Sequence, residues 1–302
     1  MHVVLFFHGR VPVSGYGGTE RVVHWLARGL AELGHRVTLI AGRGSRIAEA
    51  EVIEVDGTAA EDYFFDVRRY LPAGADVLHA HRPCPPSGLP TLWTLHGNAR
   101  PHPRKLPPNM VCLSADHAAR HQVRAFVYNG LDPRDYRFSP VKEDFDLFLG
   151  RIRTLKGWQW AVRGARRAKR RLMVAGGWRP VFRRGVRFLG AVDGDRKREL
   201  LALAQCLWMP ARWDEPFGLT LIEALASGTP VLGTRRGSLP EIITPDVGAL
   251  GDTLDDLVDL RPGLDQLSPD ACRDRVDRLF THRAMAEGYL AWYRRVIAGE
   301  TL

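Results

Sequence analysis

Short apolar runs closed by glycine, proline or asparagine alternate along this chain with stretches whose apolar residues recur every three or four positions. Residues 3–7, 36–41, 51–55, 76–79, 91–95, 110–113 and 125–128 read as short buried strands, and 19–33, 61–71 and 114–122 as helices. In the first helix Val22, Leu26, Leu30 and Leu33 share a face, and Gly34 closes it. A second series follows: strands at 145–149, 172–175, 186–189, 206–210 and 231–232, with helices from 158, over 195–205 and over 219–226. Residues 252–260, 269–280 and 283–297 show helical spacing, with Leu279, Tyr289, Trp292, Tyr293 and Val296 as packing residues. Strand and helix alternate twice over, so the expected fold class is α/β, with two doubly wound, Rossmann-like parallel-sheet domains. The turn Asn129-Gly130-Leu131-Asp132-Pro133 and the polar stretch 139–144 part them, giving expected domains at 1–138 and 145–282 and a terminal helix at 283–302.

Composition narrows the class. The 302 residues are 45% hydrophobic and 25% charged, as in a globular enzyme and unlike a disordered or fibrous chain. The net charge of +9 is uneven: residues 151–198 hold sixteen Lys or Arg against Asp193 and Asp195, a local +14, which leaves the remainder net negative. The run 166–171 reads as a solvated helix face, with attraction to an anionic lipid or nucleic acid as the lesser alternative. Cys84, Cys112, Cys206 and Cys272 form no CxxC or regular framework and fit a reducing cytoplasm. The opening apolar residues are too few for a signal peptide, and no run is long enough to span a bilayer.

Four clusters carry candidate chemistry. Glu215 and Glu223 flank a strand-to-helix junction, one in the loop and one a turn inside the helix, so both can border the crevice beyond the strand's C-terminal end. By spacing alone they fit either an acid and base pair or two ligand clamps. Gly17 and Gly18 precede a helix N-terminus, a geometry that suits a phosphate or a sugar oxygen, although the loop is not GxGxxG. Arg151 and Lys156 follow a strand and would hold a diphosphate and counter charge developing on a leaving group. His96 ends a strand at the crevice of the first domain. His79 and His81 alternate on one strand but lack a third ligand at metal spacing, so no metal site is expected. The proline-rich stretches 82–90 and 100–108 read as loops over that site.

With these motifs in order, GYGGTE at 15–20, TLHG at 94–97, YNGLD at 128–132, GRIRTLKG at 150–157, RFLGAV at 187–192 and EPFGLTLIE at 215–223 followed by ALASGTPV, the chain resembles the retaining nucleotide-sugar glycosyltransferases of the GT-B fold, glycosyltransferase family 4. The resemblance covers most of the chain. It implies two Rossmann-like domains facing a cleft, with the donor held mainly by the second. On this pattern Glu223 binds ribose hydroxyls, Glu215 the donor sugar, and Phe217, Gly218, Leu219 and Thr220 its sugar or phosphate oxygens. Arg151 and Lys156 hold the diphosphate, His96 a sugar hydroxyl, Gly17 and Gly18 the sugar-phosphate region, and Gly190 the surroundings of the base. The final helix crosses back onto the first domain. Transfer would retain configuration by front-face displacement, without a metal and with no cofactor beyond the nucleotide diphosphate sugar as co-substrate. The acceptor is a saccharide, a lipid-linked group or a small molecule, and neither pathway nor oligomeric state is specified. Two departures stand out. PARWD at 210–214 replaces the usual serine after proline, and the chain is short for the family, which bears on acceptor recognition.

Rival readings are a nucleotide-sugar epimerase on the same architecture and a polyanion or nucleic-acid binder driven by the basic segment. The second lacks regularly interleaved aromatics for base stacking, so nucleic acid is not expected as a partner.

Overall fold

A computed structural model describes residues 1–13, 15, 17–98, 107–177 and 184–302. The expected loop at 100–108 falls, apart from its last two residues, outside the described residues. The chain divides into two compact units, Met1–Leu131 with Thr281–Leu302, and Asp132–Phe280. The division therefore falls within the Asn129–Pro133 turn, and the stretch at 139–144 belongs wholly to the second unit.

The first unit runs β1 (His2–Phe6), α1 (Gly18–Glu32), β2 (Arg36–Gly42), β3 (Glu51–Val55), α2 (Gly57–Ala60), β4 (Val77–Ala80), β5 (Thr91–Thr94), β6 (Met110–Val111) and α3 (Ala115–Arg120). Its six strands are parallel in the order β3-β2-β1-β4-β5-β6. Every residue of β1 and β4 is buried, which requires cover on both faces and explains why these strands are continuous apolar runs. Val4, Phe6, Ile40, Leu78, Trp93 and Met110 form one core.

The helix expected over 61–71 does not form. Asp62 and Asp66 accept hydrogen bonds from the backbone N–H of Phe64 and Arg68, so local turns compete with the helix, and only a 3₁₀ turn at Val67–Tyr70 remains. The strand expected at 125–128 reduces to one bridge between Cys112 and Phe126.

The second unit runs β7 (Asp146–Leu149), α4 (Trp158–Arg167), β8 (Leu172–Ala175), β9 (Val186–Gly190), α5 (Gly194–Leu203), β10 (Leu207–Met209), α6 (Leu219–Ala226), β11 (Val231–Thr234), α7 (Leu239–Ile242), β12 (Gly248–Gly251), α8 (Leu254–Leu260) and α9 (Pro269–Leu279). Its parallel sheet has the order β12-β11-β10-β7-β8-β9, the same winding as the first. α7 follows the glycine turn at Gly237-Ser238, whose sequence reads as the entry to a helix, whereas β12 was not expected; GALG has too few large apolar residues to read as a strand. Leu279 is exposed, contrary to expectation, whereas Tyr289, Tyr293 and Val296 are buried on the last helix, α10 (His282–Ile297). That helix belongs to the first unit, where the Tyr293 hydroxyl bonds His79 Nδ1 at 2.6 Å and the Tyr289 hydroxyl bonds Thr94 at 2.9 Å. Among the described residues, no helix is long and apolar enough to cross a membrane. Cys112, Cys206 and Cys272 are buried and free; Cys84 is free and half-buried.

The core of the second unit contains a charge pair. Asp146 and Arg261 are 0% and 1% exposed, and the guanidinium forks onto both carboxylate oxygens at 2.8 and 2.6 Å. Trp208 Nε1 donates to Asp146 at 2.8 Å and Arg261 Nη1 to Asp265 at 2.6 Å, so each charge has further partners. The pair pins β7 and β10 to the segment after α8. Arg261→Met should destabilise this unit by about 3–5 kcal/mol in urea unfolding because it strands Asp146, whereas Asp146→Val combined with Arg261→Met should cost far less.

Candidate functional site

In the second unit β7 and β10 lie side by side although β8, β9 and α5 separate them in sequence. The connections leaving them diverge to opposite sides, which opens a crevice at the strands' C-terminal ends. The segment after β7 carries Arg151, which is exposed, and Lys156, half-buried in a 3₁₀ turn at Thr154–Lys156. The segment after β10 carries Trp213 and Glu215. Lys156 Nζ meets Glu215 Oε2 at 2.5 Å, so the ion pair bridges the two diverging connections. Trp213 Nε1 donates to the same oxygen at 2.9 Å, and its ring centroid lies 4.8 Å from Lys156 Nζ.

The segment is held in shape from behind. Gly218, with φ of 88°, turns the chain into α6, which begins without a side-chain cap. Leu219 and Thr220 form the first turn there, and Phe217 is buried against Phe280 with its carbonyl accepting from Ser238 Oγ at 2.7 Å. Ser238 N–H donates to the Glu215 carbonyl at 2.9 Å. Gly237 has a positive φ of 59°, and a Cβ there would collide with the backbone N and O of Glu215, so only glycine allows this approach.

Glu223, inside α6, is 3% exposed. Its Oε1 receives Lys197 Nζ at 2.5 Å and the Tyr136 hydroxyl at 2.7 Å. Each carboxylate thus has a lysine and an aromatic N–H or O–H converging on one oxygen. Such charge-assisted bonds offset the cost of removing the carboxylate from water. Gly190 ends β9, and its carbonyl accepts from Gly176 and Gly177 at 2.8 and 3.2 Å; two strand spacings, about 10 Å, separate its strand from β7.

Three of the anticipated residues lie in the first unit. Gly17 precedes α1 and Gly18 begins it, again with no side-chain cap. His96 follows β5, and its Nε2 bonds His81 Nδ1 at 2.9 Å. Both ring nitrogens of His79 are engaged, by Tyr293 and by Thr94 at 2.7 Å, so it links α10 to the sheet. His117 Nδ1 accepts from the Leu113 N–H and its Nε2 donates to the Gly97 carbonyl, both at 3.2 Å, fixing the residue after His96. Burial holds these rings neutral: His96 is pushed down to about 3, with His117 adding to the effect, and His117 itself to about 4. His79 and His81 lie well below the ordinary histidine value for the same reason. His96 can therefore exchange hydrogen bonds with a hydroxyl but does not carry charge near neutral pH.

The sequence reading passed over Lys197, Tyr136 and Trp213. Lys197 was hidden in the basic segment, at least seven of whose sixteen cations form ion pairs: Lys156, Arg167, Arg170, Arg171, Arg196, Lys197 and Arg198. Part of the segment's charge is therefore balanced by acids elsewhere in the second unit.

Two family profiles match this chain, "Glycosyl transferases group 1" over residues 146–260 and "Glycosyltransferase Family 4" over residues 16–127. Among solved structures, it is similar to AviGT4, a glycosyltransferase involved in avilamycin A biosynthesis, at 34% identity over 99% of each chain with a TM-score of 0.84. It is 26% identical to the phosphatidyl-myo-inositol mannosyltransferase of Propionibacterium freudenreichii subsp. shermanii over 78% of each chain. It is also 30% identical to the uncharacterized glycosyltransferase MJ1607 of Methanocaldococcus jannaschii over 41% of this chain, a match that spans only 39% of that relative.

The buried histidines set a pH dependence. Their folded-state values are depressed, so their contribution to stability is complete above about pH 6.5, the unfolded value, and falls as pH drops toward the folded values. His117→Gln should flatten the loss of unfolding free energy between pH 6.5 and about 4 by roughly 1.4 kcal/mol per pH unit, as measured by urea titrations at several pH values.

Proposed function

Since the chain belongs to the group 1 glycosyltransferases, glycosyltransferase family 4, we propose that it moves a sugar from a nucleoside diphosphate donor to an acceptor hydroxyl with retention of configuration. The observation that carries this reading is the Lys156–Glu215 pair spanning the crevice between the connections after β7 and β10. A departing nucleoside diphosphate gathers negative charge, and Lys156 and Arg151 on the connection after β7 and the uncapped start of α6 after β10 supply cationic and amide stabilisation from the two sides of that crevice. Glu223 is the clamp for ribose hydroxyls and Glu215 the clamp for the donor sugar. Both donors to Glu215 fall on Oε2, and among the described residues no hydrogen bond falls on Oε1, so Oε1 is the atom offered to a sugar hydroxyl. Neutral His96 is a further candidate for a hydroxyl contact.

A glycosidase reading of the same two residues fits less well. It needs one carboxyl with a proton to give, whereas each of these is committed to a lysine and an aromatic donor and so acts as a hydrogen-bond acceptor. An epimerase is not favoured by relatives whose names describe transferases.

Thermal unfolding with UDP, GDP, ADP and TDP tests the proposal. At least one should raise Tm, since ligand at 100 times Kd adds about 2.7 kcal/mol. Glu223→Ala should raise donor KM about tenfold or more with little change in kcat, whereas Lys156→Met should lower kcat by about a hundredfold or more. No shift with any nucleotide, together with no sugar released from their sugar conjugates, overturns the proposal; an inverted anomer in the product overturns retention.

A further inference from the structure

We infer that Lys197 and Tyr136 are positioning residues for Glu223 and that together they set the enzyme's preference for a ribose diol; the inference rests on the functional reading above. Neither residue belongs to the motifs that identify the chain.

Lys197 differs from its neighbours on α5. Arg196 is exposed and Arg198 half-buried, and they pair along the helix with Glu199 and Asp195, as on a solvated face. Lys197, between them, turns inward; its side chain is 14% exposed and ends on Glu223. Tyr136 reaches the same atom from another part of the chain. The preceding turn is fixed by Asp132, whose carboxylate accepts the Arg134 backbone N–H at 2.9 Å and pairs with its guanidinium at 2.7 Å. The turn delivers a buried tyrosine to Glu223 Oε1.

Two consequences follow. A carboxylate this deeply buried stays charged only with cationic compensation, and Lys197 supplies a cation at 2.5 Å. The last torsion of a glutamate is broad and roughly two-fold, so α6 alone leaves the plane of the carboxylate undetermined. Two donors arriving on one oxygen from α5 and from the Asp132 turn fix that plane. Neighbouring hydroxyls on a ribose need an acceptor that is both charged and fixed. A diphosphate group, by contrast, would be held by Lys156 and Arg151 and should be indifferent to either residue.

Calorimetric titration of the full chain separates these contributions. The probes are the nucleoside diphosphate that raises Tm most, its 2′,3′-dideoxy analogue and inorganic pyrophosphate. The unaltered protein should prefer the ribose form by about tenfold or more, since the dideoxy analogue lacks the two hydroxyls that a charged, oriented carboxylate would accept from. Lys197→Met should reduce that preference to less than about threefold through the ribose form alone, leaving pyrophosphate affinity unchanged, and Lys197→Arg should restore most of it. Tyr136→Phe, which removes a single oxygen and keeps the packing, should fall between, and it supplies the same readout if Lys197→Met does not fold. Equal weakening of all three probes, or an unchanged preference in both variants, overturns the assignment. Failure of the unaltered protein to bind any nucleotide removes the functional reading and this inference with it.

Discussion

The site depends on keeping two carboxylates charged where little water reaches them. Glu215 and Glu223 are 7% and 3% exposed, and each stays compatible with burial because a lysine and an aromatic donor meet on a single oxygen. The arrangement satisfies one oxygen from two directions, which sets orientation as well as charge. Its components come from separate parts of the second unit: the connection after β7, the connection after β10, α5, α6 and the turn headed by Asp132. The unit must therefore be folded before either carboxylate is in place.

The sheet supplies that order. Because β7 and β10 are neighbours, their outgoing connections face one another, and one ion pair can join them. Behind this edge, the Asp146–Arg261 fork and Trp208 tie β7 and β10 to the segment after α8. On the other side of the loop, Gly237 and Ser238 press against the backbone of Glu215 and Phe217. The loop carrying Glu215 is thus braced by backbone contacts in which its carboxylate takes no part. The first unit uses neutral rings for a similar end: Tyr293, His79 and Thr94 link α10 to the sheet, and His81 bonds the imidazole of His96.

Much of this was legible in the sequence because apolar periodicity and glycine placement are local signals. α6 begins and ends where its spacing predicts, and both sheets follow from repeated strand and helix alternation. Where side chains hydrogen-bond the nearby backbone, as Asp62 and Asp66 do, the helical pattern misled. β12 was invisible because small residues carry little pattern, and the unit boundary fell in the strongest turn sequence instead of the more polar stretch after it. Glu215, Glu223 and Lys156 could be picked out by type and spacing. Lys197, Tyr136 and Trp213 could not, since their importance lies in what they touch across 26 and 87 positions of chain, or in a side chain folded back onto a residue two places on. A count of charges read the basic segment as one feature, although much of it is spent on separate ion pairs.

The most direct test is a crystal structure with the tightest-binding nucleoside diphosphate. The account requires ribose hydroxyls within hydrogen-bond distance of the Glu223 carboxylate, with Lys197 and Tyr136 still on Oε1, and phosphate oxygens on Lys156 or Arg151. A nucleotide bound elsewhere, or bound in this crevice with its ribose away from Glu223, would contradict it.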